Sequence, residues 1–118
     1  MSDAYDLFRE GQKRLRKGMS AQATVPLEKA KKLEPSKASI REALGIAYFR
    51  LRRWSEAEHE FRTIVEEIAP TDHYAHYALG RALEQQGRAA EANGHYKLAS
   101  SMKPGSEQYA SRILDLSD

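Results

Sequence analysis

The sequence predicts an all-α protein in which three helix-turn-helix units stack on one another and a C-terminal helix closes the stack. The first observation is a repeat. Gly80 falls on Gly45, Leu83 on Tyr48, Ala92 on Ala57, Tyr96 on Phe61 and Pro104 on Pro70, and a further step back brings Gly11, Ala23, Leu27, Ala30 and Pro35 into the same places. Gly11 and Gly45 lie 34 residues apart and Gly45 and Gly80 lie 35 apart, a period that belongs to two-helix repeats. The second observation is helical apolar spacing within each unit. The third is composition: Leu and Ala abound, four prolines are spread widely, and charged residues make up 31% of 118, as in ordinary folded helical proteins. A chain of this length buries roughly two thirds of the surface its unfolded form exposes, so one modest core is expected.

Residues 3–17 place Tyr5, Leu7, Phe8, Gly11 and Leu15 at helical intervals, and Gly18 ends this first helix. The second runs from near Ser20 to Leu33, with Val25, Leu27, Ala30 and Leu33 on its stripe. Pro26 lies inside it, removing one hydrogen bond and crowding the carbonyl four residues back, so the helix is expected to kink or to start late. Glu34-Pro35-Ser36 reads as a stop and a cap before a third helix over 37–51. Ser55 and Glu58 have capping-box spacing at the head of the fourth helix, which carries Ala57, Phe61, Ile64, Val65 and Ile68 and ends at Pro70, one residue late. Asp72 caps a fifth helix reaching Gln86, Gly87 turns the chain, and residues 89–102 return. Ser106 caps a last helix striped with Tyr109, Ile113 and Leu116. The boundaries are thus about 4–36, 37–71 and 72–104 for the units and 106–116 for the closing helix, all in one domain, 1–118.

Charge and residue content narrow the function. Residues 1–59 hold 13 Lys/Arg against 8 Asp/Glu, a balance of +5, and residues 60–118 hold 6 against 9, a balance of −3. The front is basic and the back acidic. With no cysteine there is no disulfide, thiolate nucleophile or cysteine zinc site, which suits a reducing cytoplasm. Asp3, Asp6, Arg9 and Glu10 break any leading apolar region and no apolar run reaches membrane-spanning length, so a cytoplasmic protein without a membrane partner is expected. No phosphate loop, nucleophile elbow or zinc motif is present, and neither enzyme activity nor a cofactor is expected. His73 and His76 are close enough on one helix to share a metal, but helix histidines are commonly solvent-exposed and no third ligand is specified. No metal is expected.

Leu44-Gly45-x-x-Tyr48, Ala57-x-x-x-Phe61 and Pro70 form a pattern that resembles the tetratricopeptide repeat, as do Leu79-Gly80-x-x-Leu83, Ala92-x-x-x-Tyr96 and Pro104. Departures are Arg41 in the usual tryptophan place, the inserted residue before Pro70, and a weaker first copy with Glu10, Arg14 and Leu27. The resemblance covers about 100 residues of three repeats and implies a right-handed superhelical stack. Three glycines at one repeat position need a packing reason, since each costs about 1 kcal/mol in an exposed helix. Close approach of helix backbones at Gly45 and Ala57, and at Gly80 and Ala92, is the expected one.

In this family the first helix of each repeat lines a concave surface. The resemblance maps that surface to Tyr5, Phe8, Arg9, Gln12 and Arg16, then Glu42, Ala43, Ile46, Phe49 and Arg50, then Tyr74, Tyr77, Ala78, Arg81 and Glu84. Aromatics beside arginines suit an extended peptide whose apolar side chains enter pockets while its carboxylates pair with guanidinium groups. Tyr48, Phe61, Tyr96 and Trp54 are expected to pack, and Phe8, Phe49, Tyr74 and Tyr77 to bind. Repeats that hold the acidic C-termini of major chaperones use lysine, asparagine and arginine on the groove helices. The matching positions here are Phe8, Gln12, Ala43, Tyr74 and Ala78, so chaperone tails are not expected as partners.

The leading reading is therefore a protein–protein interaction module, an adaptor or scaffold that binds a peptide or partner segment in its groove. Two alternatives stand beside it. Lys13, Arg14, Arg16, Lys17, Lys29, Lys31 and Lys32 would serve an RNA-binding helical repeat, although the small net charge and interspersed acids speak against nucleic acid. An incompletely covered first helix and the odd residue before Pro70 would serve a self-associating scaffold, such as a homodimer.

Overall fold

Each amphipathic helix must hide one stripe, and the chain does this by folding back on itself three times. The computed structural model describes residues 3–113. Its helices are α1 (Ala4–Arg16), α2 (Ser20–Leu33), α3 (Ala38–Arg50), α4 (Trp54–Thr63), α5 (His73–Gln85), α6 (Ala89–Met102) and α7 (Glu107–Ala110). Consecutive helices pack as hairpins, and each hairpin packs on the next through α2 against α3 and α4 against α5, with α7 on α6. The outcome is an elongated stack with extents of 56 × 25 × 22 Å. Its core is one strip of Ala, Leu, Phe and Tyr running the length of the stack, from Ala23 and Leu27 through Phe61 to Tyr96 and Tyr109. A satellite of Ala4, Ala30 and Ile40 covers the α1 end.

The repeated glycine has a different packing role from close backbone approach. A Cβ on Gly45 would lie 2.5 Å from Cζ of Phe61, one on Gly80 2.5 Å from Cε1 of Tyr96, and one on Gly11 2.4 Å from Leu27. The glycine is a notch in the first helix of each hairpin, and a large side chain from the second helix fills it. Phe61 and Tyr96 are accordingly almost fully buried.

Several local expectations are corrected. Helix α2 does not start late; it begins at Ser20 and continues through Pro26 to Leu33. The carbonyl that loses its donor to Pro26 is that of Gln22, and the Arg14 guanidinium donates to it at 2.9 Å. Arg14, which departs from the repeat pattern, thus supplies the bond that Pro26 cannot. Ser36 caps nothing: Lys37 is the N-cap residue of α3, without a side-chain bond. Ser55 and Glu58 form no capping box, because α4 begins at Trp54 after Arg53 and the Glu58 carboxylate turns to Arg62, Gln86 and Arg88 instead. Asp72 and Ser106 do cap, accepting from the amides of Ala75 and Tyr109 at 3.0 and 3.3 Å. Helix α7 stops at Ala110, short of the expected end, and Leu116 lies outside the described residues.

Two sequence departures find structural causes. The residue inserted before Pro70 is absorbed as a π turn over Ile64–Ile68, closed by the Ala69 amide donating to the Ile64 carbonyl at 2.7 Å. Arg41, in the tryptophan place, donates from Nη1 to the buried Glu60 carboxylate at 2.9 Å and from Nε to the Pro35 carbonyl at 2.8 Å. Lys31 reaches the same carboxylate at 2.8 Å. A buried charge requires such compensation, and here two cations from neighbouring helices provide it.

Candidate functional site

On α1, α3 and α5 the residues that do not face the second helix of their hairpin meet along one side of the stack. Two hollows open there. One, of about 240 Å3, is lined by Phe8, Gln12, Leu15, Arg16, Ser39, Glu42, Ala43, Ile46 and Arg50. The other, of about 230 Å3, is lined by Ile46, Phe49, Arg50, Phe61, Tyr74, Tyr77, Ala78 and Arg81. They share Ile46 and Arg50, so they form one bent trough.

Within it the aromatic groups are held from behind. Trp54 meets Phe49 edge to face at 4.8 Å, and the Arg81 guanidinium lies over the Phe49 ring, 5.1 Å from its centroid. Tyr77 is buried against Tyr109 at 5.0 Å and accepts from Arg81 Nη1 at 3.2 Å. Its ring is thus packed against its neighbours while still lining the trough. Burial raises the Glu42 carboxyl above its ordinary range, with Asp72 adding to it, and burial likewise raises the Tyr74 phenol. Arg50 donates to the Leu15 carbonyl at 3.1 Å, which ties α3 to the end of α1. None of Arg16, Arg50 and Arg81 has a carboxylate partner among the described residues.

The trough thus brings together Phe8, Gln12, Arg16, Glu42, Ala43, Ile46, Phe49, Arg50, Tyr74, Tyr77, Ala78 and Arg81 from the expected set. Tyr5 and Arg9 stay outside it, the Arg9 guanidinium lying 5.7 Å over the exposed Tyr5 ring. Glu84 also stays outside, because its carboxylate accepts from the Tyr96 hydroxyl at 2.6 Å. Leu15, Ser39 and Phe61 line the hollows without having been anticipated. For Leu15 and Ser39 the signal was available, since each lies one helical step from an expected residue; Phe61 reaches the trough floor through the Gly45 notch, which spacing does not reveal.

The histidines do not form the pair considered from sequence. His73 Nδ1 lies 2.7 Å from the Tyr109 hydroxyl. His76 is buried instead of solvent-exposed, its Nε2 at 2.8 Å from the Pro70 carbonyl and its Nδ1 at 3.0 Å from Nδ1 of His95. Among the described residues there is no group of three or more His, Cys, Asp or Glu that could hold a metal ion. No described helix is long and apolar enough to cross a membrane.

Stacked hairpins with a trough on their first helices define an α-solenoid of the helical-repeat class. The chain belongs to the tetratricopeptide repeat family, whose model matches residues 8–73 and again 42–107. A comparison with curated proteins finds no match. Among solved structures, the first tetratricopeptide domain of Spaghetti (RPAP3) bound to the HSP90 peptide SRMEEVD is similar, at 21% identity, TM-score 0.89, and coverage of 94% of this chain and 87% of that one. The Arabidopsis OM64 domain is similar at 18% identity and TM-score 0.89, with 93% and 90% covered. YrrB, described as having an unusual peptide-binding site, is similar at 17% identity and TM-score 0.88, with 94% of this chain and 57% of that one covered. At these identities the likeness is one of fold.

Proposed function

We propose that the chain is a non-catalytic, cytoplasmic interaction module, an adaptor or scaffold domain that holds an extended peptide or partner segment in the trough. The observation that carries this reading is the contrast among its arginines. Arg14, Arg41, Arg53, Arg62 and Arg88 are each ion-paired within the chain; of the arginines with no carboxylate partner among the described residues, Arg9, Arg52 and Arg112 lie outside the trough, and Arg16, Arg50 and Arg81, one from each of α1, α3 and α5, line it. Guanidinium groups beside apolar hollows suit a segment that alternates apolar side chains with carboxylates. The peptide-binding site named for YrrB and the HSP90 peptide bound in the Spaghetti structure lend the reading support from fold-mates. The latter also reopens chaperone tails as ligands, which the residues at positions 8, 12, 43, 74 and 78 speak against. The RNA alternative draws less support, since Arg14 and Lys31 of its basic cluster are already engaged with Glu10 and Glu60.

The test is binding of peptide libraries that vary acidic and apolar positions, measured against wild type and Phe49→Ala/Arg50→Ala. Acidic, apolar-rich peptides should bind the wild type and lose roughly tenfold or more in affinity to the double variant. Equal binding by a double variant of unchanged helicity removes the trough from the mechanism. A chaperone-tail peptide run in parallel should bind no better than a scrambled control.

A further inference from the structure

The histidine pair between α5 and α6 makes a hydrogen-bond arrangement that cannot hold both rings protonated. The Pro70 carbonyl can only accept, so His76 Nε2 carries a proton. Neutral His76 then presents a bare Nδ1, and the bond at 3.0 Å requires His95 Nδ1 to donate to it. The rings stack with centroids 5.3 Å apart and planes 24° apart. Protonating His95 at its other nitrogen leaves this bond in place; protonating both rings sets N–H against N–H and places two like charges across a 3.0 Å contact. The charged groups acting on His95 are Arg62 from α4, Glu66 from the π turn and Glu91 from α6, while His73, on the same helix as His76, is occupied by Tyr109.

We infer that His76 and His95 are a proton-sensitive latch, holding the loop after the π turn to the α5–α6 hairpin at neutral pH and releasing it on mild acidification. The folded pair accepts at most one proton where the unfolded chain accepts two. Burial, with His76 and Arg62 nearby, also lowers the His95 pKa from its ordinary value, against the opposite pull of Glu91 and Glu66. The sign follows: the latch's contribution is full above the unfolded imidazole pKa of about 6.5 and is lost as pH falls below it. The Pro70 carbonyl follows the inserted residue, so the latch depends on the π turn over Ile64–Ile68. It stands whatever the trough binds, although release would reposition α5, which carries Tyr74, Tyr77 and Arg81.

The experiment is urea unfolding between about pH 7.5 and 5.5, above the carboxylate range, on wild type and His95→Gln. A glutamine amide can turn its oxygen to accept from protonated His76, which relieves the conflict. Below about pH 6.5 the wild-type unfolding constant should rise up to about tenfold more per pH unit than that of the variant, the slope of one withheld proton. Amide exchange in residues 64–76 should quicken over the same range in wild type only. Equal pH slopes for the two proteins, or nuclear magnetic resonance titrations in which both His76 and His95 take protons near 6.5 in the folded state, overturn the latch.

Discussion

Gly45 shows how a single missing atom sets the geometry of a hairpin. The Phe61 ring occupies the place of the absent Cβ, with Cζ, Cε2 and Cε1 at 2.5, 2.7 and 2.9 Å from it, and the ring is too buried to swing aside. Gly45→Ala gains about 1 kcal/mol of helix propensity but overpacks the core at a cost of about 1–3 kcal/mol, so a net loss of up to about 2 kcal/mol is expected in urea unfolding. The displaced ring forms part of the trough floor, so the loss should be accompanied by a change in Trp54 fluorescence through the Phe49 contact. Arg14 and Pro26 make the same point about partnership. Each breaks a local rule alone, and together they satisfy the Gln22 carbonyl.

Turns are where the three hairpins can be compared element by element. Gly18 and Gly87 adopt φ of 75° and 76° between their helices, and Arg52 stands in the equivalent place at 59°. In each turn the amide of the following residue closes back on the first helix, as Arg53 does to the Tyr48 carbonyl at 2.9 Å. A left-handed conformation costs a non-glycine residue about 1–2 kcal/mol, partly offset by the extra freedom glycine has when unfolded. The Arg52 side chain is exposed and makes no ion pair among the described residues, so Arg52→Gly should stabilise by about 0.5–1 kcal/mol, read as a higher Tm. The hairpins themselves were legible in sequence because glycine, alanine, aromatic and proline recur at fixed spacing, and the trough because the resemblance to the tetratricopeptide repeat puts a concave surface on the first helix of each hairpin. Contacts between distant residues were not. Nothing in the spacing of Ser55 and Glu58 says that the carboxylate prefers Arg62, Gln86 and Arg88 to its own helix terminus. A late Pro70 announced an inserted residue, but only the fold absorbs it as a π turn, and the His76–His95 contact follows from that packing.

Across the whole stack, hydrophobic burial joins neighbouring hairpins, and charged networks fasten them. Glu58 is the hub of the second junction: Arg62 holds it at 2.9 Å, Arg88 at 2.8 Å and Gln86 at 2.9 Å, while Glu91 closes the circuit to Arg62 at 2.6 Å. The pairs of Arg88 with Glu91 are exposed enough for water and salt to weaken them, so Glu58 should carry most of the effect. Burial pushes its carboxyl upward, but the hydrogen bonds from Gln86 and Arg62 and the nearby Arg88 and Arg62 charges outweigh that and hold it below the ordinary value. A lowered folded pKa means the stabilisation is present above the unfolded value of about 4.3 and is lost as pH falls through it. Glu58→Gln should therefore lower stability by about 1–2 kcal/mol near neutrality, and the gap from wild type should narrow below about pH 4.3. Urea midpoints taken from about pH 7 to 3 would read this directly, and a gap that stays constant to the acid end would make Glu58 a packing residue and not the electrostatic hub. The histidine latch acts at milder acidity, so a wild-type profile with two separate losses assigns the first to the α5–α6 side of the stack and the second to the α4–α6 network.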